Sequence, residues 1–366
     1  MVLSDPHILT AAIEDISMEG KGGKTKMNQQ EKLVLNYPLF DGDKVIESAS
    51  VVVENGTIMS INKNVSTDND CLLMPGLIDA HTHLGTKEQV RNMLQSGVIA
   101  ACDVAASDSL IKSADPFTII SSAGMTMGTL SGKSYVNNAI KSGAKYIKVL
   151  LMEPNLMLKG VLKDICNTAH RNGLKVAVHA ISIKSVRMAV DCGADILLHV
   201  PMKETFPKEL ADTIAKKGIV VVPTRIMMET FAASGRNGYR PDHYFNAEDA
   251  AKMLHKRGVT ILAGTDANPG SFAPAVAYGT SIQREMELLA KAGLTPMEVL
   301  ASATGKIAEV FGITDIGTIK KGKRAVLVLV KGRPDKKITD TINIKQVWIE
   351  VKPILVRKYI SPCGFL

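Results

Sequence analysis

Long apolar runs are missing from these 366 residues, and none could span a bilayer. A membrane protein is therefore not expected. Aromatic residues are scarce, at 4% with a single Trp, too few for base-stacking platforms. The formal charge of +8 comes from scattered Lys and Arg, so nucleic acid is not an expected partner either. Cysteine is sparse and odd in number (Cys71, Cys102, Cys166, Cys192 and Cys363), with no metal-type spacing. That fits reduced thiols and a cytoplasmic location. The opening MVLSDPHILTAAIEDISMEG has no basic start followed by an apolar block, so no secretory leader is expected. There is no GxSxG elbow to anchor a serine nucleophile. GMTMGTLSGKS falls one residue short of phosphate-loop spacing between Gly128 and Gly132-Lys133-Ser134, and reads as a loop and helix start.

What is present is an ordinary globular balance, 46% apolar and 22% charged, in a chain long enough for one large domain or two smaller ones. Residues 1–30 are expected to be a flexible lead-in, glycine-rich and polar toward their end. KLVLNYPLFDG, KVIESASVVVENG and GTIMSIN follow as strands, with a hairpin signal at Asn55-Gly56. From Pro75 onward the pattern changes. Eight apolar, β-branched runs alternate with helical segments, many of which end at Gly: GLIDAHTH, GVIAACDVA, FTIISSAG, AKYIKVLL, LKVAVHA, ADILLHV, GIVVVPT and GVTILAGTDA. Strand–helix alternation implies parallel strands, and eight of them over roughly 200 residues match a (β/α)8 TIM barrel. Helices are expected over SIQREMELLAKAG and TPMEVLASATGKIAEVFG, before strands return in GTIKKGKRAVLVLVKG and INIKQVWIEVKPI. The expected α/β architecture is a barrel over residues 75–311 beside a small composite β-sandwich domain from 31–74 and 312–366.

Barrel sites lie at the C-terminal ends of the strands. There the sequence places His81 and His83 on the first run, Lys148 on the fourth, His179 on the fifth, His199 on the sixth and Asp266 on the eighth. Residues i and i+2 of a strand share a face, so His81 and His83 present two imidazoles together. His7, His170, His243 and His255 read as solvated or packed. Imidazole and carboxylate suit Zn²⁺, Mn²⁺, Fe or Ni²⁺. Lys148, as an ammonium, cannot ligate a cation. Carbamylated by CO2 it would become an anion able to bridge two metals; the alternative is a lysine snorkelling from its strand end.

PGLIDAHTHL, the lysine of IKV, VAVHA, the histidine of LLHV, GTDA and AGLTPMEVLASAT, in this order, resemble the amidohydrolase superfamily, its prolidase-like and imidazolonepropionase-like branch in particular. The resemblance implies that His81, His83 and Asp266 hold one metal, His179 and His199 a second, and a carbamylated Lys148 bridges. The implied activity is cleavage of a C–N bond (amide, dipeptide-like or N-acyl amino acid) by a metal-activated hydroxide, with zinc first among the two ions' candidates and Asp266 the general base. Alternatives are a mononuclear cyclic-amide hydrolase or deaminase, and a non-catalytic barrel scaffold. The short segment after His83 and the GVIAACDVAASDS stretch depart from the family pattern and bear on the substrate. Arg225, after the seventh run, is the candidate clamp for a substrate carboxylate, unless it pairs with a local acid such as Glu229. MMETFAASGRNGYRPDHYFN reads as a long loop able to form a lid, and the methionines of IMMET and GMTMG as packing residues. Expected partners are a small-molecule substrate and further copies of the chain.

Overall fold

The structure is a computed structural model that describes residues 31–104 and 106–356; the expected lead-in, His7 and Cys363 lie outside the described residues. Strands β1 (Lys32–Phe40), β2 (Val45–Glu54) and β3 (Thr57–Lys63) form an antiparallel meander. Its β2–β3 turn is Asn55-Gly56, with φ of 47° and 78°, the left-handed pair a two-residue hairpin requires. β4 (Cys71–Pro75) follows. Then come two parallel sheets: β5 (Leu77–Thr82), β6 (Val98–Asp103) and β7 (Thr118–Ser121), and β8 (Ile147–Leu151), β9 (Val176–Ala180), β10 (Ile196–Leu198) and β11 (Val220–Val222). β12 (Val326–Lys331), β13 (Ile344–Ile349) and β14 (Lys352–Ile354) are antiparallel.

Strands from the two ends of the chain share one seven-stranded sheet, in the order β14-β13-β12-β4-β1-β2-β3. The apolar run from Leu72 to Ile78 is thus divided between two sheets at Gly76. Its N–H bonds to Val326 of β12, while a Cβ there would lie 2.3 Å from Ile99 of β6. Only glycine lets the chain pass so close.

The two parallel sheets meet along both edges. On one, Lys145 N–H donates to the carbonyl of Ser121, and Leu150 N–H to that of Thr126. On the other, GVTILAGTDA lies between β11 and β5. Leu262 donates to Val221, Ala80 to Ala263, and Asp266 to the carbonyl of His81. This eighth run makes only single bridges rather than a continuous strand. A Cβ at Gly264 would lie 2.4 Å from Val222, and Asp266 turns left-handed at φ 57°.

Helices Lys159–Arg171, Ile183–Cys192, Lys208–Lys216 and Tyr244–Lys256 follow the parallel strands where the periodicity placed them. Gly173, Gly193, Gly218 and Gly258 stand just past their ends in left-handed conformation. Two expectations fail. TPMEVLASATGKIAEVFG is two helices, Pro296–Ser302 and Gly305–Phe311. The carbonyls of Ser302 and Ala303 leave the helix to accept from Ala263 and from Ile78 of β5. The supposed lid is not one open loop: residues 227–234 lie in the helix Arg225–Ser234, with Met227, Met228 and Ala232 buried at helical spacing, and residues 244–246 open the helix Tyr244–Lys256.

Candidate metal centre

Each expected ligand but Lys148 sits at a strand end or just beyond it; Lys148 is the second residue of β8. His81 lies in β5 and His83 one residue past it, with ring centroids 5.2 Å apart. His179 is in β9; His199 follows β10, its ring centroid 4.5 Å from that of His179 and 5.4 Å from that of His81. Asp266 stands among them. Its Oδ1 is 3.0 Å from His83 Nε2 and 3.4 Å from His81 Nε2, and its Oδ2 is 3.9 Å from His199 Nδ1. Donor atoms of His81, His199 and Asp266 all fall within 4.8 Å of one another.

Charge and burial point the same way. Burial, with the nearby Lys148 and neighbouring imidazoles adding to it, holds His81 and His199 far below the usual histidine range. Burial brings His179 down to about 3. These three are neutral imidazoles, the form that ligates metal. Burial also brings Lys148 down to about 7, against the opposing pull of Asp266.

The donor set fits a cation. Buried polar atoms are nearly always hydrogen-bonded, yet His81 Nδ1, His179 Nε2 and Asp266 Oδ1 are buried and have no hydrogen-bond partner. Asp266 Oδ1 is close to two imidazole nitrogens without meeting hydrogen-bond geometry with either. Atoms that approach one another yet do not bond are arranged around a shared point.

Two buried acids that sequence reasoning passed over hold this arrangement. Asp79, two residues before His81, accepts from the N–H of His81 (3.1 Å) and from the N–H (3.0 Å) and hydroxyl (2.6 Å) of Thr265. It pins β5 to the segment carrying Asp266. Burial pushes its carboxyl up to about 7 against those hydrogen bonds. Asp103, at the end of β6, accepts from the Thr82 hydroxyl (3.0 Å) and the Leu84 N–H (2.5 Å), the two neighbours of His83. Tyr278 donates to the His83 carbonyl at 2.7 Å. A lone acid inside an otherwise apolar run was the available signal in GLIDAHTH and GVIAACDVA.

Arg225 is not brought to this cluster. Its side chain is fully buried against the helices. It donates to the Leu288 carbonyl and to the Tyr244 hydroxyl (2.8 Å) and lies 3.4 Å from Glu248. The expected clamp is corrected on that ground: the strand ends at Val222, and Arg225 already opens the next helix, which turns it outward. Its acid partner is Glu248; Glu229 pairs instead with Arg284 at 2.8 Å. Met227 and Met228 pack inside, as expected, but Met125 and Met127 of GMTMG are exposed, on a loop beyond β7.

Residues 72–353 match the model of the amidohydrolase family. Ochratoxinase from Aspergillus niger is 26% identical over 214 residues, 53% of this chain but 42% of the ochratoxinase. Imidazolonepropionase from Pyrobaculum arsenaticum is 23% identical, with 81% of this chain and 89% of that protein covered. The crystal structure of a Xaa-Pro dipeptidase with methionine bound in its active site superposes with a TM-score of 0.74 at 21% identity, over 87% of this chain and 98% of that one. The family match takes in both parallel sheets and every residue of the histidine cluster, and this chain belongs to the amidohydrolase family.

Proposed function

We propose that the chain is a metal-dependent amidohydrolase that cleaves the C–N bond of an amide. The observation that carries this reading is the buried meeting of neutral imidazoles, one carboxylate and one lysine, with three polar atoms lacking a hydrogen-bond partner. Family membership supports it. The frame is read as a (β/α)8 barrel over 75–311, supported by the hydrogen bonds along both edges of the two parallel sheets. The remainder is read as a composite β domain folded as a sandwich, supported by the apolar cluster of Leu35, Val51, Leu73 and Leu327 inside the shared sheet.

Two divalent cations, zinc first among the candidates, would polarise the scissile carbonyl and bring the pKa of water toward about 7. His81, His83 and Asp266 would hold one, His179 and His199 the other, with Lys148 as a carbamate between them. Lys148 is placed for that role: it is buried, and its charge reaches His81, His179, His199 and Asp266. Asp266 takes the proton of the attacking water and passes it to the departing nitrogen. Asp79 and Asp103 keep the strand ends in register for this transfer.

The substrate class is an N-acyl amino acid or dipeptide-like amide with a bulky apolar group. Met125, Met127, Leu130, Met152, Leu158 and Phe272 stand exposed on loops leaving strand ends, and the Phe272 ring lies 4.8 Å from that of His83. The tight grouping of His81, His199 and Asp266 favours a second reading, a mononuclear hydrolase or deaminase with Lys148 unmodified. Free, buried Cys71, Cys102, Cys166 and Cys192 support a reducing, cytoplasmic setting.

The test is turnover of N-acyl amino acids, dipeptides and cyclic amides by zinc- and manganese-loaded protein. Apolar acyl amino acids are expected to be cleaved fastest. Turnover of cyclic amides alone at one ion per chain would favour the mononuclear reading. No turnover at full metal loading would leave a scaffold.

A further inference from the structure

The helix Arg225–Ser234 begins in an unusual way. A threonine at the N-cap ordinarily turns its hydroxyl onto the N–H of the second or third helical residue. Thr224 occupies that position and makes no such bond. Its backbone is left-handed, φ 46° and ψ 50°, a region that β-branched residues rarely enter. Its hydroxyl lies 2.7 Å from His199 Nδ1, and both residues are buried.

The N–H that Thr224 leaves uncapped is supplied from elsewhere. Glu285, on the helix Ser281–Lys291, accepts from Ile226 N–H at 2.8 Å and also engages the N–H of Arg225. Glu285 is completely buried. Two locally unfavourable features therefore coincide, a buried carboxylate and a left-handed threonine. An ordinary cap at residue 224 with an apolar residue at 285 would remove both. What the present arrangement achieves, and that one would not, is a hydroxyl aimed at His199.

We propose that Thr224 is a positioning residue for His199, and that Glu285 takes over the helix cap so that Thr224 can serve there. The Thr224 hydroxyl accepts the Nδ1–H of His199, which fixes the ring orientation and leaves the lone pair on Nε2 for a metal. A hydrogen bond to the far nitrogen of a ligating histidine orients the ring and raises its basicity. The inference rests on the metal-dependent reading given above.

The experiment measures zinc affinity by chelator competition, and the His199 tautomer by nitrogen-15 NMR of the zinc-free protein, assigned by its loss in His199→Ala. Thr224→Val is expected to weaken zinc binding about 10- to 100-fold and to move His199 away from a pure Nδ1–H tautomer. Thr224→Ser restores both. Glu285→Gln still offers a carbonyl oxygen to Ile226 and keeps affinity near that of the parent. Glu285→Ala lowers affinity in the same direction as Thr224→Val, and the double variant loses less than the two effects combined. Wild-type zinc affinity in Thr224→Val, or an Nε2–H tautomer in the unsubstituted protein, overturns the proposal. Should Thr224→Val fail to fold, the tautomer of the unsubstituted protein still decides. Absence of zinc binding by the unsubstituted protein would instead remove the metal centre itself, a distinguishable result.

Discussion

The seven-stranded sheet and the ends of the parallel strands use the same backbone conformation for opposite purposes. In the sheet, left-handed residues other than glycine are Asn55, Asn64 and Glu350, at turns, and two of the three are asparagines. Asparagine tolerates that region at little cost. At the strand ends His199, Thr224 and Asp266 are left-handed, buried and grouped around one cluster, while Ala123, past β7, shares the conformation but is only partly buried. The cost there is of order 1–3 kcal/mol each, and it is retained where it aims a side chain. The interiors differ in the same sense. The sheet's cluster of Leu35, Leu39, Val51, Val53, Leu73 and Leu327 is apolar throughout, whereas Asp79, Asp103, Lys148, His199 and Asp266 are buried among the parallel strands. One region holds the chain together; the other carries the chemistry.

Substitutions should separate the two. The largest effect is expected from Asp266→Asn, which removes the general base: kcat/KM on whichever amide proves to be a substrate falls about 10²- to 10⁴-fold, with thermal stability little changed. Leu73→Ala, inside the sheet's apolar cluster, is expected to show the reverse. It should lose about 2–5 kcal/mol in chemical denaturation and keep its kcat and metal content. A fall in metal content there would mean that the two regions are not separable.

Glu285 gives a pH signature. Burial pushes its carboxyl from 4.5 up to about 7, so the folded state holds the proton more tightly than the unfolded chain. Its contribution is fully present below pH 4.5 and is lost as pH rises through about 7. The loss is at most about 3 kcal/mol. Denaturation midpoints of the parent should therefore fall relative to Glu285→Gln between pH 5 and 8 (roughly that window); parallel curves would contradict it. The smallest effect belongs to the hairpin: Gly56→Ala, at φ 78° and with its new Cβ 2.8 Å from the Glu350 side chain, is expected to cost about 1–2 kcal/mol with activity intact.

Features set by neighbouring residues were legible in the sequence. Asn55-Gly56 announced its turn, and the apolar runs ending in His81, His83, His179 and His199 announced the strand ends. Features set by distant partners were not. The break between Ser302 and Gly305 arises from carbonyls that bond to Ala263 and Ile78, and no local pattern encodes it. Arg225 looked like a clamp because it follows a strand. A left-handed Thr224 and the start of a helix turn it outward, and neither feature shows in VVVPTR. Thr224 closes the seventh apolar run in the sequence, and nothing local marks its bond to His199, 25 residues earlier.

The most direct test of the metal centre is elemental analysis after reconstitution with zinc. The unsubstituted protein is expected to retain two ions per chain, and the His81→Ala/His83→Ala double variant, still folded by circular dichroism, to retain fewer. Equal metal content in the two proteins, or none in either, would contradict the assignment of these side chains to a metal.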